Sequence, residues 1–166
     1  HLEVTMIDKA MAMASGLFGA LDRQAGGLGP FGLRLLLAYE FFEAGLGKLH
    51  GDNWFFDIQD QFPWPFNVLP PELSWQLATW TELVAPVALV LGLGTRFASA
   101  ALMVLTAVAW ASVHAGSGYN VCDNGFKLPL MYLVMLVPLL LSGPGRLSLD
   151  RLIARFLEAE EAAEEL

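Results

Sequence analysis

Residues 32–51 read GLRLLLAYEFFEAGLGKLHG, a run that is long and apolar enough to span a bilayer. Glu40 and Glu43 lie near its middle. A carboxylate at that depth costs several kcal/mol unless it is neutralised, paired or wetted. The remainder of the chain must therefore supply partners for these two carboxylates, and the identity of those partners bears directly on function.

The composition of the 166-residue chain is typical of an integral membrane protein. Hydrophobic residues make up 55% and charged residues 16%, whereas a soluble domain carries about 25% charged residues. One cysteine excludes an internal disulfide and the multi-cysteine zinc and iron–sulfur patterns. Much of the net charge of −8 comes from a glutamate-rich C-terminal tail, where we expect a solvated acidic segment. No nucleic-acid partner is expected.

We predict an all-α integral membrane protein, an antiparallel bundle of four transmembrane helices with amphipathic helices at both ends. A bilayer requires about 20 apolar residues for each span. The transmembrane domain is predicted at 30–145, with spans at about 30–51, 72–94, 96–116 and 126–142. The intervening segment 52–71 is rich in Trp and Phe but interrupted by Pro and Asp, which predicts an aromatic outer cap at the membrane interface.

The two ends of the chain have their own patterns. Residues 1–29 are predicted to be a cytoplasmic segment whose natural start is Met6, without a signal peptide. Apolar residues at helical spacing over 6–21 indicate a short amphipathic helix on the membrane face, with a mobile leader as the alternative. A helix break is expected at Gly26, Gly27, Gly29 and Pro30.

At the C-terminus, residues 146–166 are predicted to form an amphipathic helix followed by the acidic tail. Ser148 is the expected N-cap of this helix.

The basic residues predict the orientation. Lys48 and Lys127 fall on one side of the four-span arrangement, and the other side holds Lys9, Arg23, Arg34, Arg96, Arg146, Arg151 and Arg155. The positive-inside rule then places both termini in the cytoplasm of a bacterium, with the bundle in its inner membrane. Arg34, at the inner end of the first span, is expected to snorkel toward the interface.

Depth can be assigned to each ionisable group, because the first and third spans run outward and the other two run inward. Glu40 and Glu82 fall near mid-depth, and Glu43 lies one turn further out. The groups near the outer ends of their spans are Lys48, His114 and Lys127. Three carboxylates against two lysines and a histidine nearly cancel in charge, as expected of groups that pair at low dielectric constant.

Partners within this constellation can be anticipated from position. Glu43 has candidate partners on the three other helices, whereas the main candidate for Glu40 is Glu82. His114 is expected to share a seam for close helix packing with Ala107, Ala111 and Ala115. A purely structural polar network is one interpretation, and a path for protons, ions or substrate is the other.

Three further features leave alternatives open. Glu and His ligate transition metals, but the single Glu-x-x-Glu and the absence of Glu-x-x-His fit a di-iron site poorly, so no metal ligand is assigned. His50 is interpreted as an interfacial residue rather than a ligand. Cys122, in the loop 115–125, is either a packed thiol or a reactive one that binds substrate.

Several stretches resemble the DoxX family of four-span membrane proteins. They are Arg34 with the three leucines after it, FFEAGLGK at 41–48, TELVAPVALVLGLGTR at 81–96, His114, and GPGRLSLD at 143–150. Relatives include the membrane subunit of an archaeal thiosulfate:quinone oxidoreductase and accessory proteins of periplasmic redox or copper-handling systems. The stretch NVCDNGFKLPL at 120–130 is most similar to members found beside genes for small metal-binding peptides. The resemblance assigns no catalytic residue.

The first functional hypothesis is a membrane component of a redox or metal-stress system, acting with a periplasmic or membrane partner. Its outer pocket would bind a quinone or small substrate, with Glu43, Glu82 and His114 handling protons. The expected substrate contacts are Glu40, Lys48, Lys127, Trp54, Trp64 and Cys122. A non-catalytic scaffold and a proton or metal-ion transporter are the alternatives. Whether the chain is an enzyme, and whether it forms a homo-oligomer in the bilayer, is left open.

Overall fold

The computed structural model describes residues 2–164, and its regular structure is helical with no strand in that range. The all-α prediction is confirmed. Residues 1–5, which precede the predicted start at Met6, and the last acidic residues fall partly outside the description, which omits residues 1, 165 and 166 and also the side chains of residues 2–7, 10, 23, 25, 161 and 164. The α-helices are α1 (Leu2–His50), α2 (Pro71–Leu91), α3 (Thr95–Ala109), α4 (Lys127–Ser142) and α5 (Leu149–Glu164).

Helices α1 to α4 pack in a closed ring. α1 contacts α2 and α4, and α3 contacts the same two helices from the other side. Each helix contributes a fully buried leucine to the centre, namely Leu37, Leu89, Leu102 and Leu136. Ala38, Ala85 and Ala98 lie among them. Small residues at these positions let the helix backbones approach closely, which favours packing between membrane helices.

The buried face of α3 differs from the one expected. Ala107, Ala111 and Ala115 are exposed, so the predicted seam is wrong as a packing surface within the chain. The buried face carries Thr95, Ser99 and Thr106 instead. The hydroxyl of Thr106 donates within the helix to the carbonyl of Leu102 at 2.7 Å, whereas those of Thr95 and Ser99 have no hydrogen-bond partner among the described residues.

α1 continues without a break through Pro30. Proline has no N–H, so the carbonyl of Gly26, four residues earlier, loses its partner within the helix. The backbone N–H of Arg146 donates to that carbonyl at 3.0 Å. The prediction that this glycine–proline stretch ends the helix is wrong, because a distant loop supplies the missing hydrogen bond.

The segment 143–148 folds across one end of the ring, which we call the tail end. Arg34 of α1 is only 1% exposed and donates to the carbonyl oxygens of Pro144 at 2.9 Å and Leu147 at 2.5 Å. The prediction that Arg34 snorkels is therefore wrong. The guanidinium can lie inside the fold because two backbone carbonyls of the segment 143–148 accept its hydrogen bonds in place of water.

Two polar side chains cap the N-termini of helices at the same end. The carboxylate of Asp150 accepts from the backbone N–H groups of Gly94 at 2.9 Å and Thr95 at 3.4 Å, at the start of α3. An acidic group at a helix N-terminus satisfies free N–H groups and opposes the helix dipole. The predicted cap at Ser148 is confirmed, since its Oγ accepts from the N–H of Arg151 at 3.3 Å.

The aromatic segment covers the opposite end, which we call the cap end. Short 3₁₀ turns occur at Trp54–Asp57, Gln59–Gln61 and Phe66–Val68. The Phe55 ring lies 5.0 Å from the rings of both Phe62 and Trp75, edge to face. Such contacts add to the stability gained from aromatic burial. The aromatic segment is therefore packed on the ring of helices through α2.

Length and composition single out one membrane-crossing candidate among the described residues. The continuous helical stretch Thr95–Ser117, of 23 residues, is long and apolar enough, whereas Lys127–Ser142 and Met11–Asp22 are apolar but shorter. The helices α2 and α4 nevertheless lie close to the bounds predicted for the second and fourth spans. Their crossing of a bilayer, and the domain bounds, stay predictions.

Replacement of Gly145 by alanine tests the closure of the tail end. Gly145 has φ of +79°, and a Cβ atom there would lie 2.9 Å from the Pro30 side chain and 3.0 Å from the Gly26 carbonyl. We expect Gly145→Ala to lower the free energy of unfolding by about 1–3 kcal/mol, measured by unfolding in detergent micelles. Gly32→Ala is the matched control, because it is helical with open space around it and should be neutral or stabilising. Equal behaviour of the two variants would contradict this description.

Candidate functional site

A cavity of about 670 Å³ lies between the helices at the cap end. Its walls come from α1, α2, α3 and α4, from the aromatic cap, and from the loop 115–125. A volume of this size is typical of pockets that enclose a small organic ligand. Among the predicted site residues, those that line the cavity are Glu40, Glu43, Lys48, Trp54, Glu82 and His114.

A buried ion pair forms one wall. The ammonium of Lys48 in α1 lies 2.6 Å and 2.9 Å from the two carboxylate oxygens of Glu82 in α2, which is 3% exposed. Gly45 explains how the two side chains meet, since a Cβ atom there would lie only 3.0 Å from the backbone of Glu82. The glycine therefore allows the helix backbones to approach closely one turn before Lys48.

Glu40 has a partner that the sequence argument did not identify. The hydroxyl of Tyr132 in α4 donates to Glu40 Oε2 at 2.6 Å, and the Tyr132 ring packs against Phe41 at 5.4 Å. The prediction that Glu40 pairs mainly with Glu82 is wrong, because Lys48 occupies Glu82 and α4 supplies a hydroxyl on the other side. A tyrosine within the otherwise apolar α4 was the available signal for this pair.

Glu43 lies three residues after Glu40 and also lines the cavity. Across the described part of the chain, its carboxylate has no hydrogen bond and no ion pair. The structure therefore shows none of the partners that were anticipated for Glu43 on the other three helices. An ionised carboxylate without a protein partner is stabilised by water or by a ligand that donates hydrogen bonds.

His114 ends a π-helical turn, Trp110–His114, that follows α3. Such turns occur frequently at functional sites. The Nδ1 atom lies 2.7 Å from the carbonyl oxygen of Asn124. Because a carbonyl can only accept, Nδ1 carries the proton, and Nε2 of the neutral ring is left as an acceptor. The loop thus sets the tautomer that a proton acceptor at Nε2 requires.

The loop that holds His114 is built by its own hydrogen bonds. The N–H groups of Phe126 and Asn120 both donate to the carbonyl of Gly118, at 2.9 Å and 3.2 Å. The side chain of Asn120 accepts from the N–H of Asp123 at 2.9 Å. These contacts close the loop at 118–126 and position the Asn124 carbonyl.

Three of the predicted substrate contacts do not line the cavity. The ammonium of Lys127 lies over the ring of Tyr119, 5.5 Å from its centre. Trp64 is 80% exposed on the cap, and Cys122 is exposed on the loop. The structure does not bring these residues together with the Lys48–Glu82 pair. His50, by contrast, is exposed and close to the carbonyl of Leu46, in keeping with an interfacial position.

Two observations bear on what could occupy the cavity. No group of three His, Cys, Asp or Glu side chains that could hold a metal ion occurs among the described residues. Ser74, in the first turns of α2, lines the cavity and is buried, and its Oγ has no hydrogen-bond partner in the described part of the chain. A buried hydroxyl without a partner is costly, and a ligand could satisfy it.

The walls combine aromatic rings with a few polar groups at defined positions. Phe55 and Phe62 of the cap line the same cavity as the ion pair and the two other carboxylates. Such a surface suits a flat, largely apolar ligand with polar atoms at its edge. The all-α fold thus encloses a cavity lined mainly by apolar side chains, with a few polar groups among them.

Comparison with known proteins identifies the family. A family model described as DoxX matches residues 29–115, so the chain belongs to the DoxX family, a family of membrane proteins. An uncharacterized protein of Haemophilus influenzae is 54% identical over 123 residues, which cover 74% of this chain and 82% of that protein. No solved structure matches the chain. The resemblance noted in the sequence is confirmed.

Removing one partner of the ion pair should lower the free energy of unfolding more than removing both partners. We expect Lys48→Met to lower the free energy of unfolding by about 3–5 kcal/mol, because it leaves the Glu82 carboxylate buried without a cation. Adding Glu82→Met should restore much of that loss, since an apolar pair needs no partner. Lys127→Met, which alters a lysine outside the cavity, is the control. A similar small effect of Lys48→Met and Lys127→Met in detergent unfolding would refute the expectation.

Proposed function

We propose that this DoxX protein crosses the bacterial inner membrane four times, with both termini in the cytoplasm and the cap end facing outward. The four packed helices and the predicted span positions support this topology. The arginines Arg34, Arg96 and Arg146 lie at the tail end, where the positive-inside rule favours the cytoplasm. The exposed apolar residues of α5 suit contact with the bilayer surface.

The protein acts, in this proposal, as the membrane component of a redox or metal-stress system that binds a quinone-class molecule in its cavity. One observation carries the proposal: a single cavity collects Glu43, Glu82 and His114 beneath an aromatic cap. The flat six-membered ring of such a molecule suits the aromatic side chains of the lining, and its oxygen atoms suit the polar groups. Proton acceptors beside such oxygens are what proton-coupled chemistry requires.

The residues take different roles in this proposal. Glu43 and the Nε2 atom of His114 accept or release protons, because neither has a hydrogen-bond partner among the described residues. Glu82 is held by Lys48 and keeps that ammonium in the cavity wall. Glu40 and Trp54 contact the ligand from α1 and from the cap. No electron carrier is assigned to the chain, so electrons would pass to a partner protein.

A scaffold function is the second candidate, and one observation favours it. Trp64 and Tyr119 expose large aromatic surfaces at the cap end, at 80% and 62%. Exposed aromatic residues are typical anchors for a partner protein. Trp64, Lys127 and Cys122 would then belong to a docking surface rather than to the cavity.

Tryptophan fluorescence tests the cavity directly. Tetramethyl-1,4-benzoquinone and its hydroquinone, titrated into the purified protein in mild detergent, should quench tryptophan emission through Trp54, which lines the cavity. We expect Trp54→Phe to remove most of the saturable quenching. Trp64→Phe, which alters an exposed tryptophan of the same cap, should leave it in place.

The scaffold alternative gives a different result. Saturable quenching by neither molecule would reject the proposed ligand class. If Glu43→Gln and His114→Ala proteins also supported full function in the parent organism at normal membrane abundance, the scaffold function would be favoured.

A further inference from the structure

We propose that the cavity selects ligands that donate O–H hydrogen bonds, and that its preferred ligand is therefore an aromatic diol of the hydroquinone class rather than the corresponding quinone. This inference rests on the proposed function, because it concerns the same cavity. It adds a preference between two forms of one ligand skeleton. The two forms differ in hydrogen bonding, since the diol donates two hydrogen bonds and the quinone can only accept.

The donors in the cavity wall are largely engaged by the protein itself. Two of the three N–H groups of Lys48 are directed to Glu82. The hydroxyl of Tyr132 donates to Glu40, and the Nδ1–H of His114 donates to Asn124. Each of these donors is held by an acceptor at 2.6–2.9 Å. A quinone carbonyl that enters the cavity must compete with these acceptors for their donors, or accept from the few donors that have no acceptor.

The groups left over are mainly acceptors. Both carboxylate oxygens of Glu43, the Oε1 atom of Glu40 and the Nε2 atom of His114 can accept and have no partner in the described part of the chain. The groups that can only donate are the third N–H of Lys48 and the indole N–H of Trp54. The hydroxyl and amide groups of the wall can do both and create no preference.

Charge favours the same form of ligand. Three carboxylates line the cavity against one ammonium, and that ammonium is already neutralised by Glu82. A carbonyl oxygen placed beside Glu43 would bring the negative end of the C=O dipole against the negative charge of the carboxylate. An O–H group placed there would form a charge-assisted hydrogen bond, which is shorter and stronger than a neutral one.

The buried Oγ of Ser74 is a further group that a ligand could satisfy, although the buried hydroxyls of Thr95 and Ser99, outside the cavity, also lack partners among the described residues. It lines the cavity and lacks a hydrogen bond to any described residue. A diol oxygen can accept from this hydroxyl while its own hydrogen is donated to a carboxylate. The diol therefore satisfies both an unpaired acceptor and an unpaired hydroxyl, whereas a quinone oxygen can satisfy only the hydroxyl.

Three ligands with one carbon skeleton separate hydrogen-bond donation from shape. They are tetramethylhydroquinone, tetramethyl-1,4-benzoquinone and 1,4-dimethoxytetramethylbenzene, in which methyl groups replace the two O–H hydrogens. Dissociation constants would be measured by equilibrium dialysis against the purified full chain, with oxygen excluded to keep the diol reduced. We expect the diol to bind at least ~10-fold more tightly than either of the others, the effect of about one hydrogen bond to a charged group.

Variants identify the acceptor. Glu43→Gln should bring the diol-to-quinone ratio close to one, because the amide both donates and accepts. Glu72→Gln removes a carboxylate from the first turn of α2, at the cap end but outside the cavity lining, and should leave the ratio unchanged. Equal or tighter binding of the quinone would overturn the preference while leaving the proposed ligand class in place. An unchanged ratio in Glu43→Gln would overturn Glu43 as the acceptor on which the preference rests. Binding of none of the three would reject the ligand class itself, and the preference with it.

Discussion

The ion pair between Lys48 and Glu82 is the contact on which the arrangement of the cavity depends. A carboxylate buried between membrane helices requires a cation or a proton, and Lys48 lies within hydrogen-bond distance of both its oxygens. The pair can form only where α1 and α2 approach as closely as Gly45 permits. The glycine, the lysine and the glutamate therefore act as one unit, although the glutamate lies 34 residues beyond the lysine.

Charged side chains are partnered differently at the two ends of the ring. At the tail end, the buried cation Arg34 is satisfied by the backbone carbonyls of Pro144 and Leu147, so no carboxylate is needed beside it. The same loop donates an N–H to the carbonyl of Gly26, which Pro30 cannot do because it has no N–H. Most of the polar groups named there have a partner close at hand, although the Nε atom of Arg34 and the Oγ1 atom of Thr95 have none among the described residues. At the cap end, the exposed carboxylate of Glu43 and the Nε2 atom of His114 have no hydrogen-bond partner among the described residues, and both residues line the cavity.

Periodicity and depth could predict much of this arrangement from the sequence. Glu43, Glu82 and His114 were placed together because each lies at a definable depth in an apolar run, and the structure brings them to one cavity. The unbroken helix through Pro30 and the buried position of Arg34 could not be predicted, because both depend on carbonyl and N–H groups of the loop 143–148. The Tyr132–Glu40 bond depends on the rotation of α4, which an almost uniformly apolar sequence does not specify.

The distribution of partners has a consequence for what the cavity can bind. One lysine faces three carboxylates, and its close contact with Glu82 leaves Glu43 without a cation. A second lysine in the wall would have neutralised Glu43 and closed the polar edge, but Lys127 lies over Tyr119 instead. Glu43 is exposed, so its requirement for hydrogen-bond donors is left to solvent or to a ligand because of where the two lysines lie. Water can meet that requirement when the cavity is open, and a ligand that displaces the water must bring hydrogen-bond donors of its own.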